Sequence, residues 1–334
     1  MHSPHIGKVA IIGGGSWASA LTKIISSNGY AVQWWMRNEK AVEHIRKFKH
    51  HPNYLQSVQY DLSNITLSTD LVNSIHSCEI IIIVVPAAYM NSTFKGLSKK
   101  HFEGKTIFSA VKGIVPEFNS IPARYLHKSF NIPYENIGII CGPCHAEEVA
   151  MERLSYLTIA CLDNAKSHVI ASLVANRYIR TTESDDLFGT ELSAILKNVY
   201  ALAAGICSGL GYGDNFQSVL IANAIQEIER FIDEVSPIHR DTKTSAYLGD
   251  LLVTAYSNFS RNRTFGFMIG KGYSVANAQL EMKMVAEGYY ATKSLVEINQ
   301  KFKVEMPILE MVNAVIYRGI NPQEAVNNLS EKLT

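Results

Sequence analysis

The chain has 334 residues, 47% hydrophobic and 18% charged, and its 31 lysines and arginines against 30 aspartates and glutamates leave a formal net charge of +1. At about 100–200 residues per domain the length predicts two domains, each able to bury its own core, and balanced charge without a basic run argues against a nucleic-acid partner. The longest unbroken apolar run, Ile80 to Met90, falls short of the roughly 20 residues of a spanning helix, and the N-terminus reaches its glycines too early for a signal peptide, so no membrane span and a cytoplasmic location are expected.

In chain order, short β-branched runs alternate with amphipathic stretches. Strands are predicted at Val9 to Ile12, Ala31 to Met36, Glu79 to Val85, Thr106 to Val111 and Ile137 to Cys141. Helices fall near Trp17 to Ser27, Glu39 to Lys49, Asp70 to Ser77, Tyr89 to Lys99 and Ile121 to Ser129. That alternation is the pattern of a parallel sheet buried on both faces. After about Glu183 helical periodicity takes over, first at Leu192, Ile195, Leu196, Val199 and Leu202, then at Gln217 to Val235, Leu248 to Tyr256, Thr292 to Phe302 and Ile308 to Ile316. The expectation is an α/β fold: a Rossmann-like doubly wound sheet domain at 1–188 followed by an all-α domain at 189–334.

The first strand ends in Gly13-Gly14-Gly15-Ser16-Trp17-Ala18, which fits GxGxxG/A with Gly13, Gly15 and Ala18 at the three small positions. Gly13 would permit a tight turn, Gly15 close approach of backbone to a pyrophosphate, and Ala18 close helix packing, with the helix N-terminus facing the anion. Past the second strand the chain reads Met36-Arg37-Asn38-Glu39. Arg37 tips the expected cofactor from NAD(H) towards NADP(H), because a guanidinium suits a 2′-phosphate, while Glu39 keeps the ribose-hydroxyl alternative open.

Further along, Lys197 shares a helix face with Ser193, Ala194, Ala201 and Ala204, small neighbours that let something come close to an amine. Val111-Lys112-Gly113 follows a strand on the carboxyl side of the sheet, Cys141 to Ala146 forms a tight turn after another, and Ser260-Arg261-Asn262-Arg263 combines a bidentate cation with neutral donors. Each suits an anionic, oxygen-rich substrate. Cys141 and Cys144 have CxxC spacing, but no second CxxC or histidine pair completes a zinc set. The five cysteines read as free thiols, and no metal is expected.

With these pieces in place the chain resembles the bacterial NAD(P)-dependent glycerol-3-phosphate dehydrogenases. The similarity rests on GGGSWASAL (13–21), VKG (111–113), GPCHAEEVA (142–150), ELSAILKNVYALAAG (191–205), LGDLLVT (248–254), SRNRTFG (260–266) and EGYYATK (287–293), in order over nearly the whole chain. The resemblance implies that Lys197 donates and accepts the proton at the substrate C2 oxygen. It further implies that Lys112, Gly142, Cys144, Asn198, Asp250, Ser260, Arg261 and Asn262 surround dihydroxyacetone phosphate or sn-glycerol 3-phosphate. Gly13, Gly15, Ser16, Trp17, Arg37, Lys112, Ala146, Arg261, Val285 and Glu287 would meet the cofactor, in a homodimer serving phospholipid synthesis. Ala18 stands where the family usually has Gly, Cys144 where it has Ser or Thr, and His145 where it has Phe, so Cys144 is expected to act through its backbone. From the residues alone, a reductase of another small keto acid and a dinucleotide sensor without chemistry remain alternatives.

Overall fold

The computed structural model describes residues 7–282 and 286–334. Its chain divides into two compact units, the first comprising Met1–Val85, Tyr89–Val111 and Pro122–Leu187, the second Pro86–Ala88, Lys112–Ile121 and Phe188–Thr334.

The first unit is built on a sheet of eight strands: β1 (Val9–Ile12), β2 (Val32–Trp35), β3 (Ile65–Ser68), β4 (Ile80–Ile83), β5 (Thr106–Ser109), β6 (Ile137–Cys141), β7 (Ser155–Cys161) and β8 (Ile179–Ser184). They lie in the order β3-β2-β1-β4-β5-β6-β7-β8, parallel except where β7 runs against β6. Central strands β1 (VAII) and β4 (IIII) are apolar at every position, as burial on both faces requires. Around them run α1 (Ser16–Ser27), α2 (Glu39–Phe48), α3 (Leu71–His76), α4 (Met90–Thr93), α5 (Pro122–Phe130), α6 (Ala146–Ala150) and α7 (Asn164–Val174).

All five expected strands are present, and β3, β7 and β8 are additional. Strand β3 is four residues long, and edge strand β8 reads IRTTES, with polar residues in most positions and little apolar signal. The helix expected over Tyr89 to Lys99 is corrected to a single α turn, Met90–Thr93, after a 3₁₀ turn at Ala87–Tyr89. Gly96, at φ +87, lies in the stretch that was expected to be helical.

The second unit is helical: α8 (Leu187–Leu210), α9 (Asp214–Val235), α10 (Asp250–Tyr256), α11 (Arg261–Gly270), α12 (Val275–Glu281), α13 (Glu287–Phe302), α14 (Pro307–Arg318) and α15 (Pro322–Ser330). Helix α8 starts at Leu187, ahead of Leu192, the first position of the periodic series. It is long and apolar enough to cross a membrane, yet nearly all of it is buried within the protein, where it forms a core helix. Glu227 of α9, itself buried, accepts the N–H groups of Ile308 and Leu309 at 2.9 and 3.0 Å and the Tyr200 hydroxyl at 3.1 Å. It thereby satisfies the start of α14.

Helices α8 and α11 touch through their backbones. A Cβ on Gly205 would lie 2.1 Å from the Arg263 carbonyl oxygen, and one on Gly266 would lie 2.1 Å from that of Leu202. Gly209 and Gly270 repeat the contact one turn further on. This glycine seam ties the helix bearing Lys197 and Asn198 to the helix that begins with Arg261 and Asn262.

Candidate active site

In the first unit, candidate residues gather at the carboxyl ends of parallel strands. β1 runs into Gly13, whose φ of +147° and 2.4 Å separation between an added Cβ and the Val84 carbonyl oxygen admit only glycine. Gly15 differs: its backbone is extended (φ −89°, ψ −178°), and an added Cβ meets nothing within 4 Å. The open space beside Gly15 lies at the N-terminus of twelve-residue α1, a helix end that favours an anion, and a side chain there would project into that space. Ser16 opens α1, Trp17 follows half-buried, and Arg37 is exposed just after β2. Among the described residues no backbone acceptor pairs with the N–H of Gly14, Gly15 or Ser16.

After β6, Gly142 is buried at φ +118°, and Ala146 opens α6, which packs on α1. The Cys144 thiol donates to the Tyr156 carbonyl at 3.1 Å. The Cys144 backbone N–H is committed as well, to the Gly142 carbonyl at 2.9 Å, so the turn holds both of its hydrogens and does not bear out the expected backbone contact to a ligand. All five cysteines are unbridged, and among the described residues no group of three or more His, Cys, Asp or Glu is arranged to hold a metal ion.

In the second unit, Lys197 of α8 is 4% exposed and Asp250, at the start of α10, is 1% exposed. A π-type turn, Ser245–Gly249, leads directly into Asp250, the kind of distortion that often marks functional positions. The Lys197 ammonium donates to Asp250 Oδ1 and, at 2.9 Å, to Thr254 Oγ1. Lys112 reaches the other oxygen, Oδ2, at 3.4 Å. One buried carboxylate is therefore shared by two lysines. Burial pulls the Lys197 pKa from 10.5 down to about 7, Asp250 opposes that shift, and the Lys112 charge adds to it.

Neighbouring side chains have one end committed and the other available. Asn198 donates its amide to the Lys112 carbonyl at 2.8 Å, which leaves its oxygen as an acceptor. Asn262 accepts the Gly288 N–H at 2.9 Å, which leaves its NH₂ as a donor. Ser260 caps α11 by accepting the Arg263 N–H at 3.3 Å, so Arg261 stands at the positive end of a ten-residue helix. Glu287, the first residue of α13, accepts the Ala87 N–H at 3.4 Å. Burial raises its pKa to about 7, while the nearby Arg261 charge and the Ala87 N–H hold it lower than burial alone would.

Of the predicted set, the structure joins Lys112, Lys197, Asn198 and Asp250 directly. Asn262 adjoins them through Gly288, whose added Cβ would lie 2.5 Å from the Asn198 carbonyl oxygen. Gly13, Gly15, Ser16, Trp17, Arg37, Gly142, Cys144 and Ala146 belong to the first unit. Val285 lies outside the described residues. Sequence reading passed over Thr254, although its spacing of four residues from Asp250 on one helix was the available signal. Trp34 and Trp35 of β2 are both buried, with their indole N–H groups donating to the Gly13 and Thr69 carbonyls at 2.8 and 2.9 Å.

Comparison with known proteins matches residues 8–167 to the family model described as NAD-dependent glycerol-3-phosphate dehydrogenase N-terminus, and residues 186–327 to the corresponding C-terminus. A glycerol-3-phosphate dehydrogenase [NAD(P)+] of Agathobacter rectalis is 35% identical over 322 residues, covering 96% of this chain and 95% of the relative. One from Staphylococcus aureus is 32% identical over 326 residues, covering 97% and 98%. The crystal structure of glycerol-3-phosphate dehydrogenase from Coxiella burnetii superposes with a TM-score of 0.91 at 27% identity, covering 98% of this chain and all of that one.

Proposed function

The chain belongs to the NAD-dependent glycerol-3-phosphate dehydrogenase family, and from that premise we propose that Lys197 is its proton donor and acceptor. The protein is an NAD(P)-dependent oxidoreductase that interconverts dihydroxyacetone phosphate and sn-glycerol 3-phosphate. The observation carrying the role of Lys197 is a buried amine with its pKa lowered to about 7 and held by Asp250 and Thr254. A proton-transfer group works best with a pKa near the operating pH.

An ammonium has three donors. Asp250 and Thr254 take two from Lys197, and the third is available to the substrate C2 oxygen. As the ketone carbon gains hydride, Lys197 transfers its proton to that oxygen and becomes a neutral amine; in the oxidative direction the amine takes the hydroxyl proton back. Asp250 orients the amine, and Lys112 keeps the cluster net positive beside the developing alkoxide. The Asn198 oxygen accepts from a substrate hydroxyl, while Asn262, Ser260, Arg261 and the α11 N-terminus receive the phosphate.

Bound nicotinamide dinucleotide supplies or removes the hydride at C2. Gly13 and Gly15 would shape its cradle, with Ser16, Trp17 and Ala146 at the two helix N-termini; the family resemblance adds Lys112, Arg261 and Glu287 as residues that would meet it. In this reading residues 1–188 hold the cofactor, and 189–334 carry the chemistry together with Lys112. The family resemblance also supports a homodimer in the cytoplasm that feeds phospholipid synthesis.

The test is loss of reduced-nicotinamide absorbance with dihydroxyacetone phosphate, compared with unphosphorylated dihydroxyacetone and with NADPH against NADH. Oxidation that requires the phosphate is expected, with NADPH mildly favoured through Arg37. Arg37→Ala should raise the KM for NADPH about tenfold, the value of a charge-assisted contact, and leave that for NADH within twofold. Equal effects on both cofactors would remove Arg37 from the 2′-phosphate, and turnover indifferent to the phosphate would overturn the substrate reading.

A further inference from the structure

The glycine turn after β1 has an inner side as well as an outer one. On the inner side the Gly13 N–H donates to the Trp35 carbonyl at 3.0 Å, and the Gly13 carbonyl accepts the Trp34 indole N–H at 2.8 Å. Trp34 is fully buried in β2. A second ring, that of His51, is 2% exposed and faces the Gly14 backbone, which acts to raise its pKa. Nδ1 of His51 accepts the N–H groups of Asn53 and Tyr54, both at 3.1 Å. Two donors facing Nδ1 fix the tautomer, so the ring proton sits on Nε2, on the side of the Gly14 backbone.

The rings support one another. Trp34 and His51 centroids are 6.3 Å apart, and Tyr60 packs against Trp34 at 5.2 Å while its hydroxyl donates to the Ser19 carbonyl of α1 at 3.3 Å. Burial, reinforced by His44 and His50 and opposed by the Gly14 backbone, holds the His51 pKa down to about 4. Near neutral pH the ring is therefore uncharged, and Nδ1 remains an acceptor.

In a planar trans peptide the C=O of one residue and the N–H of the next point in opposite directions. A donor that holds the Gly13 carbonyl inward therefore aims the Gly14 N–H outward, and one that holds the Gly14 carbonyl inward aims the Gly15 N–H outward. We propose that Trp34 and His51 are positioning residues for the dinucleotide-binding turn, setting the direction of the Gly14 and Gly15 N–H groups that receive the pyrophosphate. This rests on reading that turn as the dinucleotide site. Neither ring touches the ligand; each acts through one peptide plane.

The experiment measures dissociation constants of NADH, ADP and adenosine, by displacement titration on the full-length protein, for the wild type, Trp34→Phe, His51→Phe, His51→Asn and Gly15→Val. Phenylalanine keeps an aromatic ring and removes the donor, whereas asparagine restores both a donor and an acceptor. Trp34→Phe and His51→Phe should each weaken NADH and ADP about tenfold, the effect of one lost hydrogen bond, and leave adenosine, which lacks the pyrophosphate, within twofold. His51→Asn should recover most of the loss. Unchanged ADP affinity in either folded phenylalanine variant, or an equal loss for adenosine, overturns the proposal. Should Trp34→Phe not fold, the contrast between His51→Phe and His51→Asn decides alone. Gly15→Val tests the underlying reading: if it binds NADH normally, the turn is not the dinucleotide site and the proposal falls with it, whereas loss in Gly15→Val beside intact binding in the ring variants rejects the proposal alone.

Discussion

Lys197→Met is expected to lower kcat at least about a hundredfold in both directions, the lower end of what a positioned acid–base group contributes, while NADH still binds. Methionine fills nearly the same space without a proton to give. The substitution leaves Asp250, 1% exposed, with Lys112 as its remaining cationic partner at 3.4 Å. Breaking a buried pair by removing one member costs about 3–5 kcal/mol, so the single variant should melt earlier. Lys197→Met/Asp250→Asn, which removes both charges, should recover thermal stability and no activity. That pairing separates chemistry from folding, and a single variant within tenfold of wild-type kcat would end the assignment.

The same lysine sets a pH profile whose sign is fixed. Ketone reduction needs the ammonium, so kcat/KM for dihydroxyacetone phosphate should fall above about pH 7, where burial has placed the Lys197 pKa. Alcohol oxidation needs the free amine and should rise with pH up to the same point. The Lys112 charge helps to lower that pKa. Lys112→Met should therefore move both limbs to higher pH, besides weakening substrate binding. Movement to lower pH would show that Lys197 does not titrate in these profiles.

Gly15→Val carries the second large effect: dinucleotide affinity should drop about a hundredfold or more, the scale set by displacing a ligand by an ångström or so, with little change in thermal stability. Gly15 has extended backbone, and its added Cβ meets nothing within 4 Å, so the fold has room for a side chain there. The space it would enter is the one assigned to the pyrophosphate. Gly13→Ala should behave in the opposite way and destabilise the fold itself, because Gly13 sits at φ +147° with Val84 carbonyl oxygen 2.4 Å from the added Cβ. Calorimetric titration with NADH and a thermal melt on both variants distinguish a ligand-facing glycine from a turn-forming one. Normal NADH binding by Gly15→Val would remove the turn from the cofactor site.

Much of the architecture was legible because the central strands are apolar at every position and the long helices repeat their apolar residues at helical spacing. Val9–Ile12, Ile80–Ile83 and the Leu192 to Leu202 series announce themselves. β8 does not, because an edge strand such as IRTTES needs few apolar residues, and its strand character comes from pairing with β7. Lys197, Asp250 and Arg261 were found as members of motifs that resemble a family. Periodicity alone made Lys197 one helix lysine among several, and only the fold shows the amine buried against Asp250. Thr254 was hidden because a threonine in an amphipathic helix carries no signal until its neighbour across the site is known. Trp34 and His51 were hidden more deeply, since their partners are glycine carbonyls, and a sequence does not reveal where a backbone oxygen points.

The seam between α8 and α11 bears on how such a protein can change over generations. Gly205, Gly209, Gly266 and Gly270 place backbone against backbone, so there is no side chain at this contact whose enlargement or shortening could retune the spacing of Lys197 and Arg261. An ordinary core contact can be drifted through a series of small volume changes, each roughly neutral; here the first methyl group already collides with a carbonyl oxygen. Adaptation to a longer or shorter substrate must therefore come from the ends of the two helices and the segments that approach them. A mutational library scored for activity should find the four glycines nearly invariant while Ser260, Asn262 and Asn198 exchange under selection for a new substrate.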